Sequence, residues 1–315
     1  MKPYEIVGEL KRFDRRSTAS ARSRSDRTSA AHGKKSRTRE EVVAAGEAGY
    51  GLEDFALLAG ARAPDGLIRR HWRELAEPAK AQVPAERYEP QDWGHFTQRV
   101  KEAARFYGAA LAGVTRVNPL WLYACNGEEE LPGGLDTAVV MAIEMDYDLI
   151  AASPAVTAAA AVGLGYSKMA FAALCLARYL TELGWRAVPS GNDIALSIPL
   201  AIDAGLGECG RNGSLITEAC GPRVRLCKVF TDAPLAADEP VAFGVRQACE
   251  GCTKCAEACP AGAIASGGRT ATGPTPSNNP GALKWYVNAD KCRAFWAVNG
   301  TSCCNCIARC PFNKR

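Results

Sequence analysis

Residues 249–260 read CEGCTKCAEACP. Four cysteines stand at the spacing Cys-x2-Cys-x2-Cys-x3-Cys, with a proline after the last. Thiolates donate strongly to iron and tolerate both of its oxidation levels, and this spacing is that of an iron–sulfur ligand run. A zinc site or chance clustering is the plain alternative. It is disfavoured because the chain repeats the grammar downstream, as Cys292-x10-Cys303-x2-Cys306-x3-Cys310-Pro311.

The first run matches the ligand run of two-cluster bacterial ferredoxins, in which the fourth cysteine serves the other cluster. Exchange of the fourth cysteines divides the eight into two sets. Cys249, Cys252, Cys255 and Cys310 would hold one [4Fe-4S] cluster. Cys259, Cys292, Cys303 and Cys306 would hold the second. Six further cysteines (Cys125, Cys175, Cys209, Cys220, Cys227 and Cys304) read as small buried hydrophobes. Fourteen cysteines in 315 residues, bunched at gaps of two and three, suit metal clusters better than a disulfide framework.

The rest of the composition is that of an ordinary globular protein, 47% hydrophobic and 23% charged. The net charge of +4 is small but uneven. Between Lys11 and Arg39 eleven Lys or Arg face two acids, Asp14 and Asp26. Phe13 is the one Phe, Tyr or Trp interleaved there, too little to support nucleic-acid contact, so the run reads as a solvated, partly disordered arm. Residues 1–30 show no apolar signal core, and no hydrophobic stretch follows Arg15-Arg16. The expected localisation is cytoplasmic as the sequence stands, or exported if a twin-arginine signal precedes this chain. The most apolar window, 155–180, is broken by Lys168 and Arg178 and reads as a buried core helix, not a membrane span.

Four zones follow: a basic arm at 1–40, a helical connecting segment at 41–95, an α/β core at 96–240, and a cysteine module at 241–315. LEDFALLAGARA (52–63) and FTQRVKEAARFYGA (96–109) have helical apolar spacing. LAGVTRV (111–117) and TAVVMAIEM (137–145) read as buried strands. Residues 156–184 read as one long helix, with WRAVPS (185–190) the next strand. GPRVRLCKVFTD (221–232) alternates like a strand with one polar face. There is no dinucleotide fingerprint. The three histidines, His32, His71 and His95, stand outside any Asp-x-His-x-x-Gly arrangement, so histidine-based catalysis is not expected. Taken singly, a tyrosine inside a helix is usually core packing, and an arginine on a strand is usually a surface or paired charge.

A set of stretches nonetheless resembles one family throughout. MAIEMDYD (141–148), GLGYSKMAF (163–171), AVPSGNDIALSIPLAIDAGLG (187–207), GRNGSLITEACGPRVRLCKVFTDAPL (210–235), CEGCTKCAEACPAGAI (249–264), SNNPGALKWYV (277–287) and CPFNK (310–314) resemble the corrinoid-dependent reductive dehalogenases. KPYEIVGELKRFDRRSTASAR (2–22) and VKEAARFYGAALAGV (100–114) resemble stretches near the family's mature N-terminus and early core. The arm segment at 23–41 does not. The resemblance implies an α+β fold, with a nitroreductase-like α/β core holding a base-off corrinoid and a C-terminal two-cluster ferredoxin-like module. By motif, Tyr166 matches the catalytic tyrosine, Arg225 the basic residue beside it, Asn192 a polar residue of the substrate pocket, and Trp296 an aromatic wall. The implied partners are a small organohalide, a low-potential electron donor and a small membrane-anchor protein, with no nucleic acid. The implied reaction replaces halogen by hydrogen, using two electrons and a proton. A phenol with a guanidinium beside it suits the proton's delivery.

Two other readings share parts of the pattern. Epoxyqueuosine reductase, another corrinoid iron–sulfur enzyme, would need an acidic catalytic residue and a tRNA-binding surface. A plain electron carrier would not require a 240-residue core bearing a Tyr/Arg pair.

Overall fold

Residues 137–144 are buried at every position but the last, which requires packing on both faces of that strand. The structure is a computed structural model that describes residues 4–76, 86–124 and 131–315. Its strands are β1 (Leu111–Arg116), β2 (Thr137–Glu144), β3 (Ala187–Ser190), β4 (Glu208–Cys209), β5 (Leu215–Ile216) and β6 (Val224–Thr231). The helices ahead of the cysteine module are α1 (Ala19–Ser25), α2 (Arg39–Ala44), α3 (Leu52–Ala76), α4 (Trp93–Phe106), α5 (Tyr147–Ala151), α6 (Val156–Glu182) and α7 (Ser197–Asp203). Within the module are α8 (Val245–Gly251), α9 (Lys254–Glu257), α10 (Ala289–Asn299) and α11 (Asn305–Ala308). The architecture is mixed helix and sheet, and the strands and long helices lie where the apolar patterning places them.

Four strands form an antiparallel sheet in the order β1-β2-β6-β3, and β4 and β5 form a separate hairpin. Side chains alternate across a strand, so β2 and β6 each divide their residues between two cores. Val139, Met141 and Ile143 of β2 join Cys227 and Val229 of β6 beneath α6. Ala138, Val140 and Ala142 join Leu226 and Phe230 against α7 and its flanking loop. The same alternation aims Arg225 at α6 and Lys228 at the loop before α7.

Helix α6 lies at the centre because its surface is small. Alanines and two glycines let α3 pack closely along it, and at Gly163 an added Cβ would sit 2.7 Å from Arg62 Cγ. Among the described residues it is the one helix long and apolar enough to cross a membrane. Its apolar surface is instead covered by α3, β3 and β6.

The arm corrects an expectation. Thr18 caps α1 by accepting from the Ala21 N–H, and α1 packs on α10 of the cysteine module. Arg22, 5% exposed, pairs with Asp26 at 2.7 Å and with buried Asp290 at 2.6 Å. Phe13 and Ala31 are also buried. A charge run looks solvated when its counter-charge lies 268 residues away in sequence. Pairing explains why this one is docked.

The strand at 224–231 corrects another. Its alternation does not put polar residues in water. Lys228 is fully buried, and its ammonium donates to the carbonyls of Gly191 and Ala195 (3.1 Å) and to Ser197 Oγ (3.0 Å). Just ahead of the strand, Arg223 is 3% exposed and bonded to Glu144, Met145, Asn313 and Lys314.

Candidate active site and metal centres

Cys249 lies in α8, Cys252 follows it, Cys255 lies in α9 and Cys310 follows α11. All four line one cavity of about 260 Å³, whose walls also include Arg211, Asn212, Ile216 and Phe312. The chain folds back so that a cysteine of the second run joins three of the first. Among the described residues no three His, Cys, Asp or Glu side chains converge closely enough for a single metal ion. Four sulfurs spread around a cavity suit a polynuclear cluster instead.

The second set is also drawn together. Burial pushes the Cys292 thiol up to about 11, and nearby Cys259 and Cys303 add to the rise. Cys306 is pushed well above the usual thiol range by burial, then by Cys304, Cys292, Cys303 and Cys255. Cys255 of the first set therefore lies within electrostatic reach of the second. Iron must displace protons from such thiols, so cluster assembly and proton release are coupled. Backbone donors are already in place at three sulfurs: Ala263 N–H to Cys259 (3.3 Å), and Arg211 N–H to Cys249 and Asn305 N–H to Cys303 (3.5 Å each). Of the six other cysteines, Cys220, Cys227 and Cys304 are buried, and Cys175 and Cys209 are half-buried. Cys125 lies outside the described residues.

A cavity of about 390 Å³ opens between the N-terminal segment, the loop leading into α7, the β4–β5 hairpin and residues 269–285. Its walls include Tyr4, Trp121, Tyr123, Asn192, Ser197 and Trp285. A smaller space of about 160 Å³ shares Asn192, Ser197 and Ile198 with it and adds Met169, Arg225 and Leu226. The loop 191–197 carrying Asn192 is held from below by Lys228, and Ser197 Oγ donates to Asn192 Oδ1 at 3.3 Å.

Tyr166, half-buried on α6, meets two guanidinium groups. Arg225 lies 5.1 Å from its ring centre and Arg69 of α3 lies 5.8 Å away. Gly165 makes the first approach possible, since a Cβ there would stand 2.9 Å from Arg225 Cγ. Arg69 is braced by Asp65 at 2.6 Å and lies against Gly191. The structure thus brings Tyr166 to Arg225, and sets Arg225 and Asn192 on the walls of one small cavity. Trp296 does not line either cavity. It sits on α10 beneath Arg293 at 5.3 Å, with its indole N–H buried and unpartnered. Arg69, Arg211 and Lys228 were missed in sequence. Of these, Arg211 stood in a stretch with a signal, the Gly-rich GECGRNG (207–213).

The two cavities also test the corrinoid that the resemblance implies. Arg225 Nε is buried without a partner. The larger space offers aromatic faces with Asn192, Ser197, Asn278 and Asn279 among its polar groups, which suits a broad ring rimmed with amides. The residues present fit such a group.

A 4Fe-4S dicluster domain family matches residues 248–314. Tetrachloroethene reductive dehalogenases of Desulfitobacterium hafniense and Dehalobacter restrictus are 39% and 38% identical over 262 and 265 residues, covering 68% and 69% of this chain. The chain is a relative of the reductive dehalogenases. It spans 47% and 48% of the length of those two relatives. A solved reductive dehalogenase, described with a mechanism for B12-dependent dehalogenation, shares the fold. Its TM-score is 0.74 at 23% identity, over 99% of this chain and 44% of that one. The epoxyqueuosine reductase of Bacillus cereus is 41% identical over only 66 residues, 21% of this chain.

Proposed function

We propose that this chain is the catalytic portion of a reductive dehalogenase, which replaces halogen by hydrogen on a small organohalide. The observation that carries the reading is the Tyr166–Arg225 contact at 5.1 Å, with Arg225 reaching the cavity that shares Asn192 with the larger space. The four-stranded antiparallel sheet under α6 supports a nitroreductase-like core. Residues 241–315 form the module with two [4Fe-4S] clusters, held by the two cysteine sets. Their adjacency provides a path for single electrons from an external low-potential donor. A corrinoid held among Tyr4, Trp121, Tyr123 and Asn192 of the larger cavity would supply the reducing metal for the carbon–halogen bond.

The chain's own residues have separate tasks. The Tyr166 hydroxyl delivers the proton to carbon as halide leaves, and Arg225 beside it stabilises the phenolate left behind. Arginine suits this position because it stays charged when desolvated. Asn192 orients the substrate from the braced loop. Two electrons and one proton in, with halide out, balance the reaction.

The test is anaerobic reconstitution with iron, sulfide and cobalamin, followed by halide-release assays. The substrate panel covers haloalkenes, starting from the relatives' tetrachloroethene, and halophenols. Tyr166→Phe is expected to abolish release while keeping the iron content. Wild-type release by that variant refutes the proton-donor role. Failure to take up cobalt refutes the reading as a whole, and a co-purifying tRNA redirects it to epoxyqueuosine chemistry.

A further inference from the structure

The cavity formed by Cys249, Cys252, Cys255 and Cys310 takes part of its wall from the β4–β5 hairpin, and the hairpin sends a cation to it. Arg211 is 2% exposed. Its guanidinium donates to the carbonyl of Cys249 from Nε (3.2 Å) and Nη2 (2.7 Å), and from Nη1 to the carbonyls of Ala265 (2.8 Å) and Gly267 (2.7 Å). It lies 4.8 Å from the Trp285 ring centre. Its backbone N–H points at Cys249 Sγ. All of these carbonyl and ring partners are electrically neutral, and among the described residues none of its contacts is a carboxylate.

A buried arginine cannot shed its proton, and an uncompensated buried charge is costly. Glu208 is the acid that bears on Cys249, but its carboxylate accepts from the Phe243 and Val245 N–H groups at 2.7 and 3.0 Å. The remaining source of negative charge is the cavity itself. Four thiolates outweigh the charge of an iron–sulfur core, so the filled site is anionic, and it becomes more so on reduction.

We propose that Arg211 is the counter-ion of the cluster held by Cys249, Cys252, Cys255 and Cys310, and that it raises that cluster's reduction potential. A fixed cation favours the more negative, reduced state, and charge near a cluster is among the levers that set its potential. The surroundings of the second set differ. Arg293, half-buried over Trp296, bears on Cys292, and Asn212 of the same hairpin ties in by donating to the Cys306 carbonyl at 3.3 Å. Three further hairpin residues, Glu208, Cys209 and Gly213, line the large cavity. Arg211 therefore sits at the joint between the core and the first cluster. There its charge biases which of the two clusters retains an electron.

This inference rests only on the iron–sulfur part of the proposed function. Its test is an EPR-monitored redox titration of the anaerobically reconstituted chain, which needs no substrate. In Arg211→Gln one midpoint potential is expected to move to more negative values while the other stays. Arg211→Lys, which keeps the charge, is expected to remain near wild type. Unchanged potentials in Arg211→Gln, or equal shifts in both clusters, overturn the proposal. If Arg211→Gln holds only half the wild-type iron, Arg211→Lys decides: full iron with the wild-type potential supports the counter-ion role, and continued loss overturns it. A wild-type chain that takes up no iron overturns this inference together with the reading beneath it, which separates that failure from a failure of Arg211 alone.

Discussion

Gly165→Ala adds one methyl group at the point where α6 meets Arg225. The new Cβ would stand 2.9 Å from Arg225 Cγ, 3.4 Å from Met145 Cγ and 3.7 Å from Arg225 Cβ. Ordinary contact begins near 3.4 Å, so the Arg225 stem must retreat by about 0.5 Å. Alanine gains about 1 kcal/mol over glycine inside a helix. Overpacking costs about 1–3 kcal/mol. The two nearly cancel, and the expected net destabilisation is about 0–2 kcal/mol, so the variant should fold. Function is affected more strongly, because the displaced group is the one beside Tyr166. A misplacement of about 1 Å at a reacting centre costs about 100-fold, so half that distance suggests about a tenfold loss of turnover. Gly163→Ala is the control. Its Cβ would meet Arg62 Cγ at 2.7 Å, an overpacking of similar size against α3 and not against Arg225. A similar net destabilisation of about 0–2 kcal/mol with unchanged turnover is expected there. Urea unfolding and halide release of both variants give the comparison. A Gly165→Ala enzyme as fast as wild type, or a Gly163→Ala enzyme equally slowed, would refute the coupling of helix surface to Arg225.

Crosswise ligation predicts that Cys310→Ser and Cys249→Ser remove the same EPR signal and about half the iron, although they lie in different runs; loss of different signals would rule it out. Arg22→Met strands Asp290 and should cost about 3–5 kcal/mol, with α1 becoming the first site of proteolytic cleavage; a variant as protease-resistant as wild type would contradict the docked arm. Lys228 makes stability depend on pH. Burial pulls its ammonium down to about 8 from the usual 10.5. Between those values the unfolded chain holds the proton and the folded chain does not, so its contribution to stability rises with pH. The penalty is fully present below about pH 8. Its relief is on the order of 3 kcal/mol by about pH 10.5, read as wild type gaining on Lys228→Met in urea unfolding at stepped pH. A difference that stays flat with pH would show that Lys228 does not titrate in this way.

The cysteine module was legible because ligand spacing is a local property. Two Cys-Pro-terminated runs named eight candidate sulfurs, and the fold sets Cys249, Cys252, Cys255 and Cys310 around one cavity. The strands and long helices were legible for a related reason, since apolar periodicity reports which faces need covering. The polar interior was not legible. Arg22 looked solvated because Asp290 is distant in sequence, and Lys228 passed as part of a strand's polar face because nothing nearby shows that carbonyls wait beneath it. Arg69 stood in a helix with no evident task until α3 packed on α6 and carried it to Tyr166. By itself the sequence determined which cysteines stand at cluster-ligand spacing and which segments form sheet and helix. Only the tertiary structure decided which buried charges face the cavities, because a desolvated charge is held by partners that the chain supplies from far along its length.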